Sequence, residues 1–92
     1  MVFGEFEWDA DKAARNLTEH GVSFEEAATV VGDFGASVFE SGPMHDTRVA
    51  ITGFSERARL LVVVHVDAAS GRVRIISARK ADKHDARKYG QG

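Results

Sequence analysis

Arg48, His65 and Arg74 have side chains suited to phosphate chemistry, and they fall on three consecutive predicted strands. The guanidinium group of arginine matches phosphate oxygens with a planar fork of donors, and histidine can give or take a proton near neutral pH. When RNA is cleaved by its own 2′-hydroxyl, one proton must be accepted, another donated, and charge on the phosphoryl oxygens stabilised. These three side chains could supply that chemistry if the fold brings them together.

The segment RVRIISARKADKHDARKYGQG adds positive charge and one aromatic ring near the end of the chain. Tyr89 could stack on a base or donate a proton. The charged and titratable residues could extend an RNA-binding surface, and they are Arg72, Arg79, Lys80, Lys83, His84, Arg87 and Lys88. The alternative is that residues 79–88 form a solvated helix with no ligand.

Charge is divided unequally between the two halves of the chain. Residues 1–47 contain two bases and ten acids, whereas residues 48–92 contain ten bases and four acids. A clustered positive half attracts polyanions even when the net charge is near zero. The two halves could instead neutralise each other across the fold, and charge alone does not separate these interpretations.

Composition limits the class of protein. A chain of 92 residues that is 43% hydrophobic is long enough for one core, so we predict a single domain over residues 1–92. It has no cysteine, and no pair of histidines has supported zinc-ligand spacing, so we expect no metal or other cofactor. The N-terminus does not resemble a signal peptide and no apolar run is long enough to cross a bilayer, which predicts a cytoplasmic protein without membrane contact.

Two short helices are predicted in the first half. Asp9 can cap a helix over residues 10–20, which Gly21 would end. Ser23 and Glu26 have the spacing of a capping box at the start of a second helix, over residues 24–31, and Glu26 is predicted to be a solvated capping residue. The apolar residues at helical spacing predict core faces, and they are Ala13, Ala14, Leu17, Phe24, Ala27, Ala28 and Val31; Phe6 and Trp8 are further predicted core residues.

Four strands and a third helix are predicted in the rest of the chain. The strands span residues 36–40, 48–54, 59–66 and 72–78, a loop occupies residues 41–47, and a helix spans residues 79–89. Short connections between the last three strands predict antiparallel neighbours. The predicted fold is therefore α+β, with two N-terminal helices, a four-stranded antiparallel sheet and a C-terminal helix.

Alternation along the strands predicts which side chains share a face. One face would be almost wholly apolar and pack on the helices; it carries Val49, Ile51, Gly53, Leu60, Val62, Val64, Val66, Val73, Ile75 and Ser77. If the connections are four-residue loops, His65 pairs with both Arg48 and Arg74 on the opposite face, beside Arg72. Like charges in a row favour an anionic ligand such as RNA phosphate. A slip of one residue would destroy this row.

Three blocks of sequence resemble the BrnT family of bacterial type II toxins: FEWDADKAARNLTEHGVSFEEA, LLVVVHV and RIISARKADKHDARKY. The resemblance implies a RelE-like fold, ribonuclease activity that arrests translation, and neutralisation by a BrnA-type antitoxin that contacts operator DNA itself. It also implies family-like positions for Arg48, His65, Arg74, Arg79 and Lys80, with Tyr89 at the end of the last helix. Asp85 stands where the family usually has Glu.

A metal-independent endoribonuclease toxin is the leading hypothesis, with Arg48, His65, Arg74, Arg79 and Tyr89 as its catalytic set. The runner-up is a noncatalytic nucleic-acid-binding module that uses the same basic face. A third possibility is an interaction protein whose basic half meets an acidic antitoxin segment. The sequence does not separate the first two, because both need the arginines.

Overall fold

The fold is a mixed six-stranded sheet with helices at its faces. The computed structural model describes residues 2–33, 36–40 and 48–89, so the predicted loop over residues 41–47 lies outside the described residues. The elements in chain order are β1 (Val2–Phe3), β2 (Phe6–Glu7), α1 (Ala10–His20), α2 (Phe24–Thr29), a 3-10 turn (Val30–Gly32), β3 (Ser37–Glu40), β4 (Val49–Phe54), β5 (Leu60–Asp67), β6 (Val73–Lys80) and α3 (Lys83–Lys88). None of the helices in these ranges is long and apolar enough to cross a membrane.

The sheet has the strand order β1-β2-β6-β5-β4-β3. Strands β3 to β6 form the predicted antiparallel meander. The prediction of a four-stranded, wholly antiparallel sheet is wrong, because an N-terminal hairpin precedes the helices and its β2 pairs in parallel with β6. That hairpin turns at Gly4, which has a positive φ of 60°, and two-residue strands leave almost no alternation for a sequence pattern to detect.

Helices α1 and α2 begin where the caps predict. The Asp9 carboxylate accepts from the backbone N–H groups of Asp11 and Lys12, and Gly21 ends α1 in the left-handed region. The Ser23 hydroxyl accepts from the backbone N–H of Glu26, which starts α2. The α-helical part of α2 ends at Thr29 and continues as the 3-10 turn.

The core lies between these helices and one face of the sheet, and we call this face the helix-packed face. Its buried strand residues are Ile51, Leu61, Val63, Ile75 and Ala78, and they contact Trp8, Val22, Phe24, Ala27, Ala28 and Val30. The predicted core positions Leu17 and Val31 are wrong, since both are about half exposed, and Ala14 is exposed as well. The buried residue of α1 is Asn16.

Asn16 bridges α1 to the edge of β6. Its Nδ2 donates to the backbone carbonyls of Ala78, at 2.8 Å, and Val22, at 2.9 Å, while its Oδ1 accepts from the backbone N–H of Ala78 at 3.1 Å. Strand β2 reaches only as far along β6 as Arg74. The buried amide therefore satisfies both backbone groups of Ala78 beyond the point where β2 ends, which explains why a polar side chain occupies a core position.

Both hairpins that join β4, β5 and β6 use the same five-residue connection. In the first, Ser55 N–H donates to the Arg59 carbonyl and Ala58 N–H donates to the Ser55 carbonyl; in the second, Ala68, Arg72 and Gly71 make the equivalent bonds. The fourth residue of each connection has a positive φ, 59° at Ala58 and 86° at Gly71. The prediction of four-residue loops is wrong by one residue in each hairpin.

Candidate active site

The predicted row of Arg48, His65 and Arg74 does not form. The longer connections pair His65 with Val49 on β4 and with Ile75 on β6, while Arg74 pairs with Val66. Side chains of adjacent residues on a strand point to opposite faces, so His65 and Arg74 lie on opposite sides of the sheet. Arg48 directly precedes Val49, the first paired residue of β4, and is not itself paired in the ladder.

His65 lies at the border of the helix-packed face. It is partly buried, and its Nδ1 is buried without a hydrogen-bond partner among the described residues. Burial lowers the pKa of His65 below its usual value, an effect that the nearby Asp67 carboxylate partly opposes. These surroundings favour a neutral imidazole at neutral pH, on the other side of the sheet from Arg74.

The face of the sheet away from α1 and α2 carries Arg74 and Arg79, and we call it the arginine face. Its strand residues are Ala50, Thr52, Phe54, Leu60, Val62, Val64, Val66, Arg74, Ser77 and Arg79. The prediction of which residues face the helices is right for β4. It is wrong for β5, where Leu61 and Val63 are the core residues. It is also wrong for Ser77, because a β-bulge between Val64 and His65 leaves Ile76 outside the ladder and reverses the alternation after it.

Arg74 is held by Glu7 of the N-terminal hairpin. Its Nη1 donates to Glu7 Oε2 at 2.9 Å, and Glu7 pairs directly with Arg74 in the parallel ladder. The Ser70 hydroxyl donates to the other carboxylate oxygen of Glu7. These hydrogen bonds, first from Ser70 and then from Arg74, keep the pKa of Glu7 below its usual value, and Arg72 adds a smaller attraction. Glu7 is therefore an ionised partner that fixes one edge of the Arg74 guanidinium.

Arg79 is held in a similar way by Asp85 of α3. Nη1 donates to Asp85 Oδ2 at 2.6 Å and Nη2 donates to Oδ1 at 3.3 Å. The same carboxylate accepts from the backbone N–H of Asp82, whose own carboxylate accepts from the Asp85 N–H, so both acids form a capping box at the start of α3. The bonds from Arg79 lower the pKa of Asp85 to about 2. This cap is the reason that the helix predicted over residues 79–89 begins only at Lys83, after β6 has continued to Lys80.

Tyr89 follows α3 and is anchored at both its ring and its hydroxyl. The hydroxyl donates to Asp33 Oδ2 at 2.7 Å, an oxygen that also accepts from the backbone N–H of Phe54 at 2.7 Å. The rings of Tyr89 and Phe54 meet edge to face with their centroids 5.1 Å apart. The hydrogen bond to Asp33 raises the pKa of Tyr89. In this arrangement the phenol donates its proton to Asp33 and not to a ligand.

The other predicted RNA-binding residues have varied positions. Lys80 is exposed but pairs with Leu61, so it extends the helix-packed side of the sheet. On α3, Lys83, His84 and Arg87 are exposed, and Lys88 is the last residue of this helix. Arg72 is partly exposed near Glu7, and Arg48 is exposed just before β4.

Glu26 belongs to a buried ion pair and not to the solvated cap that the sequence predicts. Arg59 donates to it from Nε at 2.9 Å and also from Nη2, and the Ser55 hydroxyl donates at 2.7 Å. Arg59 also donates to the Gly21 carbonyl at 3.0 Å. The hydrogen bonds from Arg59 are the main cause of the lowered pKa of Glu26. This network joins α2 to the β4–β5 connection and is structural.

A model of the BrnT family, described as the ribonuclease toxin of a type II toxin–antitoxin system, matches residues 8–85. The chain belongs to the BrnT family. The resemblance noted from the sequence is thereby confirmed. The matched residues include Arg48, His65, Arg74, Arg79 and Asp85, whereas Glu7 and Tyr89 lie just outside them.

The fold is similar to that of the Brucella abortus ribonuclease toxin BrnT, known from a crystal structure at 1.1 Å resolution. The TM-score is 0.66 and the sequence identity 24%, over 85% of this chain and 96% of the Brucella chain. At this identity the likeness supports the α+β fold. A comparison with curated protein sequences finds no match.

Three acids hold side chains of this BrnT-family site: the sequence points to neither Glu7 nor Asp33, and it points to Asp85 only as a departure from the family pattern. Glu7 and Asp85 hold the two arginines, and Asp33 holds Tyr89. Glu7 is 67 residues from Arg74, so no local spacing relates them, and only the N-terminal hairpin explains their meeting. Asp82 and Asp85 did carry a detectable pattern, because their spacing is that of a capping box. Among the described residues, no three His, Cys, Asp or Glu side chains cluster closely enough to hold a metal ion.

Proposed function

We propose that this BrnT-family chain is a cytoplasmic endoribonuclease toxin that cleaves RNA without a metal ion. In this mechanism a 2′-hydroxyl attacks the adjacent phosphorus, the chain breaks at the 5′-oxygen, and a cyclic phosphate remains. Loss of intact RNA then inhibits translation. The observation that carries the proposal is the pair of arginines, Arg74 and Arg79, on one face of the sheet, each oriented by a carboxylate from a different element.

Each of the two arginines is suited to stabilise charge on a phosphate, and they lie five residues apart along β6. Arg74 uses only Nη1 for Glu7, so its Nη2 and Nε have no hydrogen bond to the described part of the chain. Arg79 uses both terminal nitrogens for Asp85 and Lys80, while its Nε has no hydrogen bond to the described part of the chain. A guanidinium whose orientation is already fixed stabilises developing charge without reorganising at the moment of reaction. Arg48, one step beyond the β4 register, would add a third donor.

Proton transfer is assigned to side chains near α3. His84 is exposed on α3 and directly precedes Asp85 in the chain, and it is the imidazole that we propose for proton transfer. Tyr89 lies at the other end of the same helix and could donate a proton or stack on a base after leaving Asp33. Because His65 lies on the opposite face from Arg74, it does not share a phosphate with the arginines in this proposal.

The RNA strand would extend from the arginine face towards α3. Arg72 lies beside Glu7 at one side, and Lys83 and Arg87 are exposed on α3 at the other, whereas Lys80 extends the helix-packed side and would not contact this strand. Lys88 also belongs to α3. Each cationic contact with a phosphate releases counterions, so affinity for single-stranded RNA should fall with salt at a log-log slope of about −0.7 per phosphate. An affinity that is unchanged between low and physiological salt would contradict this track.

The protein partner in this proposal is a BrnA-type antitoxin, and operator DNA is contacted only through that antitoxin. Expression of the chain alone should arrest growth, and co-expression of the antitoxin should restore growth and yield a complex that purifies together. The Arg79→Ala variant is the control, because growth arrest that persists with it would not arise from the proposed site.

The deciding experiment is RNA cleavage by the purified chain in the presence of EDTA. End-labelled RNA should give products with a cyclic phosphate, and Arg74→Ala and Arg79→Ala should give about 10² less product at equal protein concentration. Products that disappear when EDTA is added would overturn metal independence. Equal cleavage by both variants would overturn the site.

A noncatalytic nucleic-acid-binding module is the second candidate, and one observation favours it. The described strand residues of the arginine face include no imidazole, because His65 points to the other side. In that case RNA should bind with the same salt dependence, and prolonged incubation should leave it intact.

A further inference from the structure

Two adjoining clefts lie on the side of the molecule where the N-terminal hairpin meets α2. The larger has a volume of about 720 Å³ and extends from Glu5 and Phe6, past the 3-10 turn, to the end of β4. The smaller has a volume of about 280 Å³ and lies beside Phe3 and Glu25. Thr29 and Glu56 line both clefts, so they form one continuous surface. We call it the acidic cleft.

The charged side chains that line the acidic cleft are mostly negative. Its acids are Glu5, Glu25, Asp33 and Glu56, together with the buried Glu26. The single base among the lining residues is Arg57, which lies 3.6 Å from Glu26 in an ion pair. Four of the ten acids in the first half of the chain line this cleft, and the partners of Arg74 and Arg79, Glu7 and Asp85, are not among its lining residues.

The same surface exposes large apolar side chains. Phe3 is 47% exposed, Val31 is 51% exposed and Phe54 is 43% exposed, and all three line the cleft. A concave surface with exposed aromatic and aliphatic groups inside a charged rim is typical of a protein-binding site. Complementary charge would select a partner segment that is basic and amphipathic.

We propose that the acidic cleft is the docking site for a cationic, amphipathic segment of the antitoxin. The inference rests on the proposed function for the existence of that partner, since an antitoxin must bind its toxin tightly. Lys and Arg of the segment would face Glu5, Glu25 and Glu56. Its apolar side chains would cover the exposed faces of Phe3, Val31 and Phe54.

An occupant of this cleft would contact the residues that anchor Tyr89. Asp33 and Phe54 line the cleft and also hold the hydroxyl and ring of Tyr89. The cleft is thus linked through one side chain to the end of α3, and the start of α3 holds Arg79 through Asp85. A bound antitoxin would fix Tyr89 on Asp33 without covering Arg74 or Arg79, which do not line the cleft.

The test is the affinity of the purified chain for the antitoxin expressed from the same operon, measured by calorimetry. Two variants alter the cleft without touching Tyr89 or its anchors: Glu5→Gln with Glu56→Gln, and Val31→Ser. Matched controls on the exposed side of α1 are Glu19→Gln and Leu17→Ser. Val31→Ser should weaken binding by at least about fivefold. The double variant should weaken it and reduce its salt dependence, while the controls bind as the unaltered chain does.

A second measurement uses the single tyrosine of the chain. With ¹³C-labelled tyrosine in this chain, its one set of ring signals should shift as unlabelled antitoxin is added, and the Val31→Ser variant should need at least about fivefold more free antitoxin for half of that shift. Unchanged affinity in both cleft variants would overturn the proposal. So would loss of binding in Arg74→Ala and Arg79→Ala alone, because the antitoxin would then dock on the arginine face.

RNA cleavage by the free chain separates this inference from the proposed function. If the free chain leaves RNA intact but the cleft variants lose the antitoxin, the docking site stands and the ribonuclease assignment fails. If the free chain cleaves RNA and the cleft variants bind the antitoxin normally, the assignment stands and the docking site fails.

Discussion

Asp85 binds Arg79 across the junction of β6 and α3 while it also caps the helix on which it lies. One carboxylate thus fixes both the direction of a guanidinium on the sheet and the start of α3. Any change at Asp85 acts on the arginine face and on the helix together. The stability contributed by this ion pair should therefore depend on pH, because it requires an ionised Asp85.

Acid should destabilise the fold through Asp85. Its pKa lies at about 2 in the folded chain, below the ordinary value of 3.8, so the ionised form stabilises the folded state. That contribution is complete above about pH 4 and is lost as the pH falls towards 2. Urea unfolding between pH 5 and pH 2 should show stability falling with pH, and Asp85→Asn should have a flatter profile over the same range. Equal slopes for the two proteins would contradict the ionised pair.

Replacing His65 should preserve cleavage and stabilise the fold. Its buried Nδ1 lacks a partner within the described ranges, and an unsatisfied buried polar atom costs about 1 kcal/mol or more. We therefore expect His65→Leu to raise the melting temperature and to cleave RNA as the unaltered chain does. His84→Ala is the matched comparison, with cleavage reduced by about 10² and the melting temperature unchanged. A loss of cleavage in folded His65→Leu would restore the histidine to the active site.

Removing either arginine of the arginine face should reduce activity far more than stability. Arg74 and Arg79 each have a partly exposed side chain, so their ion pairs contribute about 1 kcal/mol or less to stability. Cleavage by Arg74→Ala and Arg79→Ala should nevertheless fall by about 10². Arg15→Ala, on the exposed surface of α1, is the control and should cleave normally. Kinetics and thermal melts on the three variants separate the two effects.

The β4–β5 connection should tolerate glycine better than its natural residue at one position. Ala58 has a φ of 59°, a conformation that costs a residue with a Cβ about 1 kcal/mol. Ala58→Gly should therefore stabilise the chain, by an amount reduced by the greater freedom of glycine when unfolded. Gly71→Ala, at the equivalent position of the next hairpin, should destabilise the chain. A Cβ there would meet open space, so the destabilisation would come from the strained backbone conformation and not from a clash. Melting temperatures that move in the opposite directions would contradict this account.

The sequence predicted the elements of the fold better than it predicted their register. Local spacing predicts the helix caps at Asp9 and Ser23. It also predicts the four consecutive strands β3 to β6. The sequence does not indicate which residues of β5 point to the core, since LLVVVHV is apolar at nearly every position and both of its faces are partly buried. Register then depended on loop length, and the left-handed Ala58 that lengthens the first connection has no glycine to indicate it.

The candidate site was predicted in its residue types and only partly in its arrangement. Arg74 lies within a predicted strand, where a basic residue is unusual, whereas Arg79 begins the predicted C-terminal helix and is identified through its family-like position. Their partners Glu7 and Asp85 could not be assigned, because the first depends on a parallel strand of two residues and the second on where β6 ends. The predicted face for His65 is wrong because the predicted register differs by one residue. Side chains alternate along a strand, so a shift of one residue moves every side chain to the other face.

The amide of Asn16 also protects the chain from association through its own sheet. Within the described part of the chain, no strand pairs with the outer side of β6 beyond Arg74, and an open strand edge is a template for pairing with another molecule. Asn16 occupies both backbone groups of Ala78 on that edge, so an incoming strand meets a side chain that has already made the bonds it would need. An Asn16→Ala chain would expose this edge, and we expect its loss of stability to be accompanied by aggregation that grows with protein concentration.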